Sequence, residues 1–232
     1  MSDSYLERRS EIETYFDRTA AAAWSKLTSD APVSGIRATV RAGRERMRAT
    51  LLGFLPTDLR GLRLLDAGCG TGALAVEAAR RGADVTAVDI SPTLISIARE
   101  RLPDQIGEGR VRFIAGDMMD QRLGTFDHVV AMDSLIHYSL PDMVKMLGQL
   151  AGMSTRGVHF TYAPRTPALA LMHMAGKLFP RSDRSPRIVP HAPASLHQAV
   201  ARSEALAGWR TGRSTRIATG FYISQAQELT RE

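Results

Sequence analysis

This chain of 232 residues is short of several things, and each shortage excludes something. It has one cysteine, Cys69, so no disulfide can form within it. A reducing, cytoplasmic setting is therefore expected. Aromatic residues make up 6% of the chain. They form no cluster of the kind that single-stranded nucleic acid stacks on, so no nucleic-acid partner is expected. No apolar run approaches the roughly 18 residues of a spanning helix. The segment Met1–Glu11 is polar and charged, so no secretory signal is expected there. His, Cys, Asp and Glu do not recur at metal-ligand spacing, which predicts no protein-bound metal. The chain also lacks Gly-x-Gly-x-x-Gly and a P-loop lysine, which argues against dinucleotide and nucleoside-triphosphate sites.

What is present is a globular composition with an excess of positive charge. Hydrophobic residues reach 44%, enough for a sizeable core, and the length suits one large domain or a domain with a cap. The net charge of +6 and a sequence pI near 10.0 favour anionic partners. Charge alone does not choose among nucleic acid, acidic lipid and a carboxylated substrate.

The stretch Leu64–Leu74 carries the most information. An apolar run enters Asp66 and then three alternate glycines, Gly68, Gly70 and Gly72, around Cys69. The run reads as a buried strand at 62–66, and 73–81 reads as a helix. Glycines at that junction allow a sharp turn and close approach of backbone to a ligand. The helix start adds free N–H groups. A second strand, 84–88, ends in Asp89, followed by Ile90. Asp89 lies about 20 residues beyond the glycines, where an acid in such folds meets ribose hydroxyls. Asp66 at the strand mouth would repel a pyrophosphate and suits a cationic ligand. Cys69 reads as a small side chain beneath that ligand.

Further strands are predicted at 111–115, 126–131 and 157–162, and further helices at 92–101 and 141–151. Strands alternating with helices give a mostly parallel sheet covered on both faces, with ligands at the carboxyl ends of the strands. Asp66, Asp89, Gly116-Asp117 and Met132-Asp133 all fall on that edge. Ahead of it, 1–60 reads as a helical flap with helices at Tyr5–Phe16 and about 33–55. On the second, Arg37, Arg41, Arg44 and Arg48 share a face beside Ile36, Val40, Met47 and Leu51. That basic face is either solvated or turned to an acidic partner. The division expected is 1–60 flap, 61–163 core, 164–204 cap and 205–232 closing antiparallel strands, predicted at 206–213 and 217–226 around a Gly/Ser turn. In the cap, 168–178 reads as helical, with Met172 and Met174 either covering a flat ligand or packing ordinarily. A further helix is predicted at 195–205.

Asp-x-Gly-x-Gly-x-Gly after a strand, an acid closing the next strand, and Phe113-Ile-Ala-Gly-Asp-Met118 resemble the class I S-adenosylmethionine-dependent methyltransferases. The resemblance implies a Rossmann-like, mostly parallel seven-stranded sheet. It implies that Tyr15, Asp66, Gly68, Cys69, Gly70, Gly72, Asp89, Ile90, Gly116, Asp117, Met118 and Met132 surround S-adenosylmethionine. After strand four the chain has no Asn/Asp-Pro-Pro-Tyr, which argues against amine methylation and for an oxygen acceptor.

Four further segments, in order, are more specific: Tyr15-Phe-Asp-Arg-Thr19 with Trp24, Met132-Asp-Ser-Leu-Ile-His-Tyr138, Phe160-Thr-Tyr-Ala-Pro-Arg-Thr166 and Gly176-Lys-Leu-Phe-Pro180. Together they resemble the magnesium-protoporphyrin IX O-methyltransferase family, bacteriochlorophyll branch, over about residues 12–226. The resemblance implies methyl transfer to a propionate of magnesium-protoporphyrin IX, with magnesium present only inside the substrate. It implies His137 beside the reacting carboxylate, orienting it or taking its proton; packing at a strand–helix junction is the plainer alternative. Asp133, Tyr138, Arg165, Met172, Lys177 and Arg181 are the expected acceptor-side residues. Chlorophyll-branch relatives carry a catalytic tyrosine where this chain has Thr28, which makes Thr28 a candidate. The implied partner is the large subunit of magnesium chelatase, with peripheral contact at the inner or photosynthetic membrane. Two other readings stay open: a methyltransferase for a quinone-precursor-like ring, and a non-catalytic domain binding RNA or a partner through its arginine face.

Overall fold

The computed structural model describes residues 3–19, 28, 35–165 and 187–231. The expected cap helix at 168–178, with Met172, Lys177 and Arg181, and the Trp24 segment lie outside those residues.

Five parallel strands form the body of the sheet: β1 (Arg63–Ala67), β2 (Asp84–Asp89), β3 (Arg110–Ala115), β4 (Phe126–Ala131) and β5 (Ser154–Tyr162). An antiparallel pair, β6 (Trp209–Thr219) and β7 (Tyr222–Arg231), completes it in the order β3-β2-β1-β4-β5-β7-β6. The order reverses direction between β1 and β4, and at such a switch point the loops diverge and leave a crevice.

The helices are α1 (Asp3–Thr14), α2 (Gly35–Phe54), α3 (Ala73–Arg80), α4 (Pro92–Glu100), α5 (Leu140–Gly152) and α6 (Pro193–Ala201). A π-helical turn, Tyr15–Thr19, extends α1. Local sequence explains several starts. Ser91 and Ser139 cap α4 and α5 by accepting the N–H of Leu94 and Asp142, and a proline follows each. Two apolar clusters sandwich the sheet, one centred on α5 and β5, the other on α2, α3 and β1. Met47, Leu51 and Leu52 anchor α2 in the second, whereas Ile36, expected on the same stripe, is 53% exposed. It precedes the first turn that touches the sheet.

The closing hairpin departs from expectation. The turn expected between 206–213 and 217–226 is instead part of β6, which carries a register shift between Thr211 and Ser214. The chain reverses later, at Gly220-Phe221, where Thr219 pairs with Tyr222. Gly220 supplies the positive φ, 54°, that a two-residue reversal needs. A glycine within a strand often marks a bulge, and Gly212 does so here. The expected helix at 195–205 likewise stops at Ala201, and a short 3₁₀ turn (Glu204–Leu206) follows.

His128 and His159 are buried neighbours on β4 and β5, with Nδ1 of His128 3.2 Å from Nε2 of His159. Burial lowers the pKa of both, His159 to about 3, and Glu228 and Arg213 continue the cluster across β7 and β6. His191 also serves the fold, with Nε2 3.0 Å from the Tyr138 carbonyl oxygen.

Candidate active site

A cavity of about 530 Å³ opens at the carboxyl ends of β1–β4, roofed by α1 and flanked by α2 and the β6–β7 reversal. That volume is within the range of small-molecule sites.

One wall is the glycine turn. Gly68, Gly70 and Gly72 have φ of 81°, 55° and 80°, the left-handed region that side-chain-bearing residues avoid. A Cβ on Gly68 would lie 2.4 Å from the Ser134 Cβ, and one on Gly72 would lie 2.6 Å from the Phe113 ring. Gly68, Cys69 and Gly70 line the cavity; Gly72 instead caps α3 and lets it sit against β3. Cys69 is held as a neutral thiol, its pKa raised by burial and by the charges of Asp66 and Asp89.

Asp89 pins this turn. Its Oδ2 accepts the Gly70 N–H at 2.8 Å and its Oδ1 accepts the Ser91 N–H at 3.0 Å. Asp66 is 1% exposed, and its Oδ2 has no hydrogen-bond partner within the protein. Burial first, and the Asp89 charge second, push its carboxyl up to about 7. A buried, unpartnered carboxyl beside a second acid creates a place that a cation stabilises. Asp117 completes the acidic rim. Its Oδ1 accepts the Met119 N–H at 2.9 Å and the Tyr5 hydroxyl at 3.1 Å, and Arg9 Nε lies 3.5 Å from Oδ2. Tyr5 also stacks on Tyr138, which fixes α1 over the rim. Asp17, from the π-helical turn, accepts from Ser91 Oγ and the Thr93 N–H at 3.1 and 3.2 Å. Tyr15, Ile90, Gly116, Met118 and Met132 line the same space.

The opposite wall is assembled from distant pieces. Arg41, Arg44 and Arg48 of α2 face inward. Arg48 pairs with Glu77 at 2.6 Å, and Arg44 forms a short ion pair with Asp133. Tyr222 at the start of β7 donates to the same carboxylate at 3.0 Å. His137 is 6% exposed and lines the cavity. Its Nδ1 lies 3.3 Å from the Arg187 carbonyl oxygen. A carbonyl only accepts, so this contact places the proton on Nδ1 and leaves the Nε2 lone pair as an acceptor in the neutral ring. Thr28 also lines the cavity, with Oγ1 accepting from Arg101 Nη1 at 3.0 Å.

Arg165, expected on the acceptor side, does not line the cavity. Its side chain is exposed, and its backbone N–H donates to the His191 carbonyl at 2.9 Å, which turns this loop outward. Sequence reasoning passed over Tyr5, Arg9, Ser134, Thr161 and Tyr222. Ser134 and Thr161 lie within the family-specific segments but were given no role there, and Tyr5, Arg9 and Tyr222 are brought in by the fold. The arginine face of α2 was legible as a ridge; its direction was not.

This sheet order, with ligand-facing loops turned by glycine and rimmed by carboxylates, defines a class I methyltransferase fold. A methyltransferase-domain model matches residues 64–157, and the model described as magnesium-protoporphyrin IX methyltransferase C-terminus matches 131–231. The chain is 51% identical to the magnesium-protoporphyrin O-methyltransferase of Rhodobacter capsulatus, covering 98% of this chain and 99% of that one. The chain belongs to the magnesium-protoporphyrin O-methyltransferase family. The crystal structure of the Synechocystis magnesium protoporphyrin IX methyltransferase with bound SAH covers 97% of this chain and 100% of its own, at 27% identity and a TM-score of 0.85. A ubiquinone biosynthesis O-methyltransferase from Xanthomonas oryzae is 35% identical, over 53% of this chain and 54% of its own.

Proposed function

We propose that this protein transfers a methyl group from S-adenosylmethionine to one propionate carboxylate of magnesium-protoporphyrin IX, giving the monomethyl ester in bacteriochlorophyll synthesis. One observation carries the reading: near-full-length identity of 51% to a protein named for that reaction. Supporting it, Asp133, His137 and Tyr222 all lie within the family-specific match at 131–231. The quinone-ring reading has only half-length relatives behind it. The arginine face, on which a non-catalytic reading rested, turns three of its four members into the cavity.

The cofactor supplies a methyl group on a sulfonium, and the C–S bond breaks toward sulfur as a carboxylate oxygen takes the carbon. The buried Asp66 carboxyl, with its unpartnered oxygen, fits that cation. Asp89 holds the glycine turn open for backbone approach and keeps acceptor lone pairs for ribose hydroxyls. Asp117 and the Met118 backbone border the place for a purine edge. A propionate, with a carboxyl pKa near 4–5, is already an anion at neutral pH. It needs positioning more than a base. Where the acid enters neutral, His137 takes its proton at Nε2, and the imidazolium N–H so formed donates back to the carboxylate and orients it. Attack neutralises two opposite charges, so a dry site favours it. Tyr5, Tyr15 and Phe16 exclude water from above, and Thr28 closes one corner. Met172, Lys177 and Arg181 of the expected cap are assigned to binding the macrocycle. Among the described residues no helix is long and apolar enough to cross a membrane. Independently of that, we propose a cytoplasmic protein that meets its hydrophobic substrate at the membrane surface and at the large subunit of magnesium chelatase.

The test is direct. The protein is mixed with labelled S-adenosylmethionine and magnesium-protoporphyrin IX, metal-free protoporphyrin, or RNA, and the products are separated. Label in the magnesium-protoporphyrin monoester is expected. Absence of label in any porphyrin overturns the proposal.

A further inference from the structure

Asp133 is, among the described residues, the non-glycine residue with a positive φ, 57°. An L-residue pays a steric penalty there, and such positions persist where the surroundings hold them. Four contacts do so. Asp133 accepts from Arg44 Nη1, from the Tyr222 hydroxyl at 3.0 and 3.2 Å, and from Thr161 Oγ1 at 3.2 Å; its own N–H donates to Thr161 Oγ1 at 2.7 Å. Burial raises the Tyr222 pKa well above its usual value, so the phenol remains a donor. The result is a guanidinium from α2 fixed at the cavity wall, its side chain 19% exposed against 9% for Asp133. On a helix face open to water it would point outward.

A guanidinium presents five N–H donors in a rigid fork and accommodates more than one carboxylate. The acceptor carries two. The methylated carboxylate must keep a lone pair available, and pairing with a guanidinium would stabilise the anion and blunt its attack. The other carboxylate has no such requirement. We propose that Arg44, oriented by Asp133 and Tyr222, binds the acceptor's second carboxylate, the one that is not methylated, and so limits the reaction to one ester. This rests on the porphyrin-propionate reading above. Once the first ester has formed, a second transfer would require the molecule to bind reversed. Its methyl ester would then face Arg44, and the charge-assisted hydrogen bonds would be lost. Arg41 and Glu45 line the same wall, and Arg48 is committed to Glu77.

The experiment compares the diacid with its monomethyl ester as acceptors, in wild type, Arg44→Met and Arg44→Lys. Calorimetry with S-adenosylmethionine verifies that each variant keeps its cofactor site. Wild type is expected to favour the diacid by at least about tenfold in kcat/KM, the size of one lost charged contact. Arg44→Met should raise the diacid KM by about tenfold, leave kcat within about threefold and bring the two acceptors level. Arg44→Lys, keeping charge without the fork, should fall between. A diacid preference that survives Arg44→Met, or a fall in kcat with KM unchanged, overturns the clamp alone. Should Arg44→Met not fold, a wild-type diacid preference undiminished in Arg44→Lys overturns it. Wild type that methylates neither acceptor overturns the functional reading, and the clamp with it.

Discussion

The wall assigned above to the cofactor is drawn chiefly from the span Asp66–Met118, three strand ends and the loops that leave them, with Tyr15 and Met132 added from outside it. The facing wall takes Arg41 and Arg44 from α2, Asp133 and His137 from the loop after β4, Ile188 from the stretch before α6 and Tyr222 from β7. The first wall works through backbone turns and buried carboxylates. The second works through side chains that hold one another across the fold. The comparison extends to the relatives: the general methyltransferase match ends at 157, and the family-specific match runs over 131–231. On the function proposed above, a shared donor is served by a local device, and a particular acceptor by an assembled one.

Replacing Asp89 by alanine should break the first wall most severely. It removes the acceptor for the Gly70 and Ser91 N–H groups, at 2.8 and 3.0 Å, together with the ribose partner. S-adenosylmethionine affinity should fall about 100-fold, ~3 kcal/mol, by calorimetry. Retained affinity would mean that the turn holds itself.

Gly72→Ala should come next. The new Cβ would sit at φ 80° and 2.6 Å from Phe113. A stability loss of about 2 kcal/mol in urea is expected, although Gly72 itself is off the cavity surface. A smaller loss would show that α3 and β3 can part without strain.

The Asp66 carboxyl, raised to about 7, gives the first wall a pH signature. Below about pH 7 the ligand-free carboxyl is protonated, and a bound cation drives that proton off. Cofactor affinity should weaken by up to about tenfold per pH unit as pH falls below 7. Titration calorimetry in two buffers of different ionisation enthalpy should detect proton release. The stability term has the opposite sign: the folded pKa exceeds the usual 3.8, so Asp66 contributes stability at low pH and loses it as pH rises from 3.8 through 7. Affinity independent of pH between 5.5 and 7.5 would show that the cation does not rely on this carboxylate.

The smallest effect sharpens the second wall. Tyr222→Phe deletes one donor to Asp133 and leaves Arg44 and Thr161 on it. Acceptor KM should rise about fivefold, ~1 kcal/mol, with cofactor affinity unchanged. An equal change in cofactor affinity would mean that the walls are not independent.

The sequence was legible where chemistry and geometry are written in the same few residues. The glycine turn, the acids closing β1 and β2, and the alternation of strands and helices each rest on neighbours in the chain. Legibility failed where a reversal has to be placed: the turn was expected between residues 213 and 217, yet the hairpin turns at Gly220. Two residues decide which side chain enters the cavity there, because the reversal sets the start of β7 and hence Tyr222. Arg165 lies off the cavity lining for the related reason that a loop's direction depends on the segment it pairs with, here the stretch at His191.

By itself, then, the sequence determined the class of fold, the acids at the rim of the glycine-turn wall and the residues of that turn, since backbone conformation and strand-end position are local properties. Tertiary structure alone decided that the α2 arginines point inward, that Arg44, Asp133 and Tyr222 meet, and that α1 lies on Asp117. Those contacts join residues as far apart as 44 and 222. No local preference specifies them; they exist because packing α2 and the β6–β7 hairpin on one sheet brings them within hydrogen-bond reach.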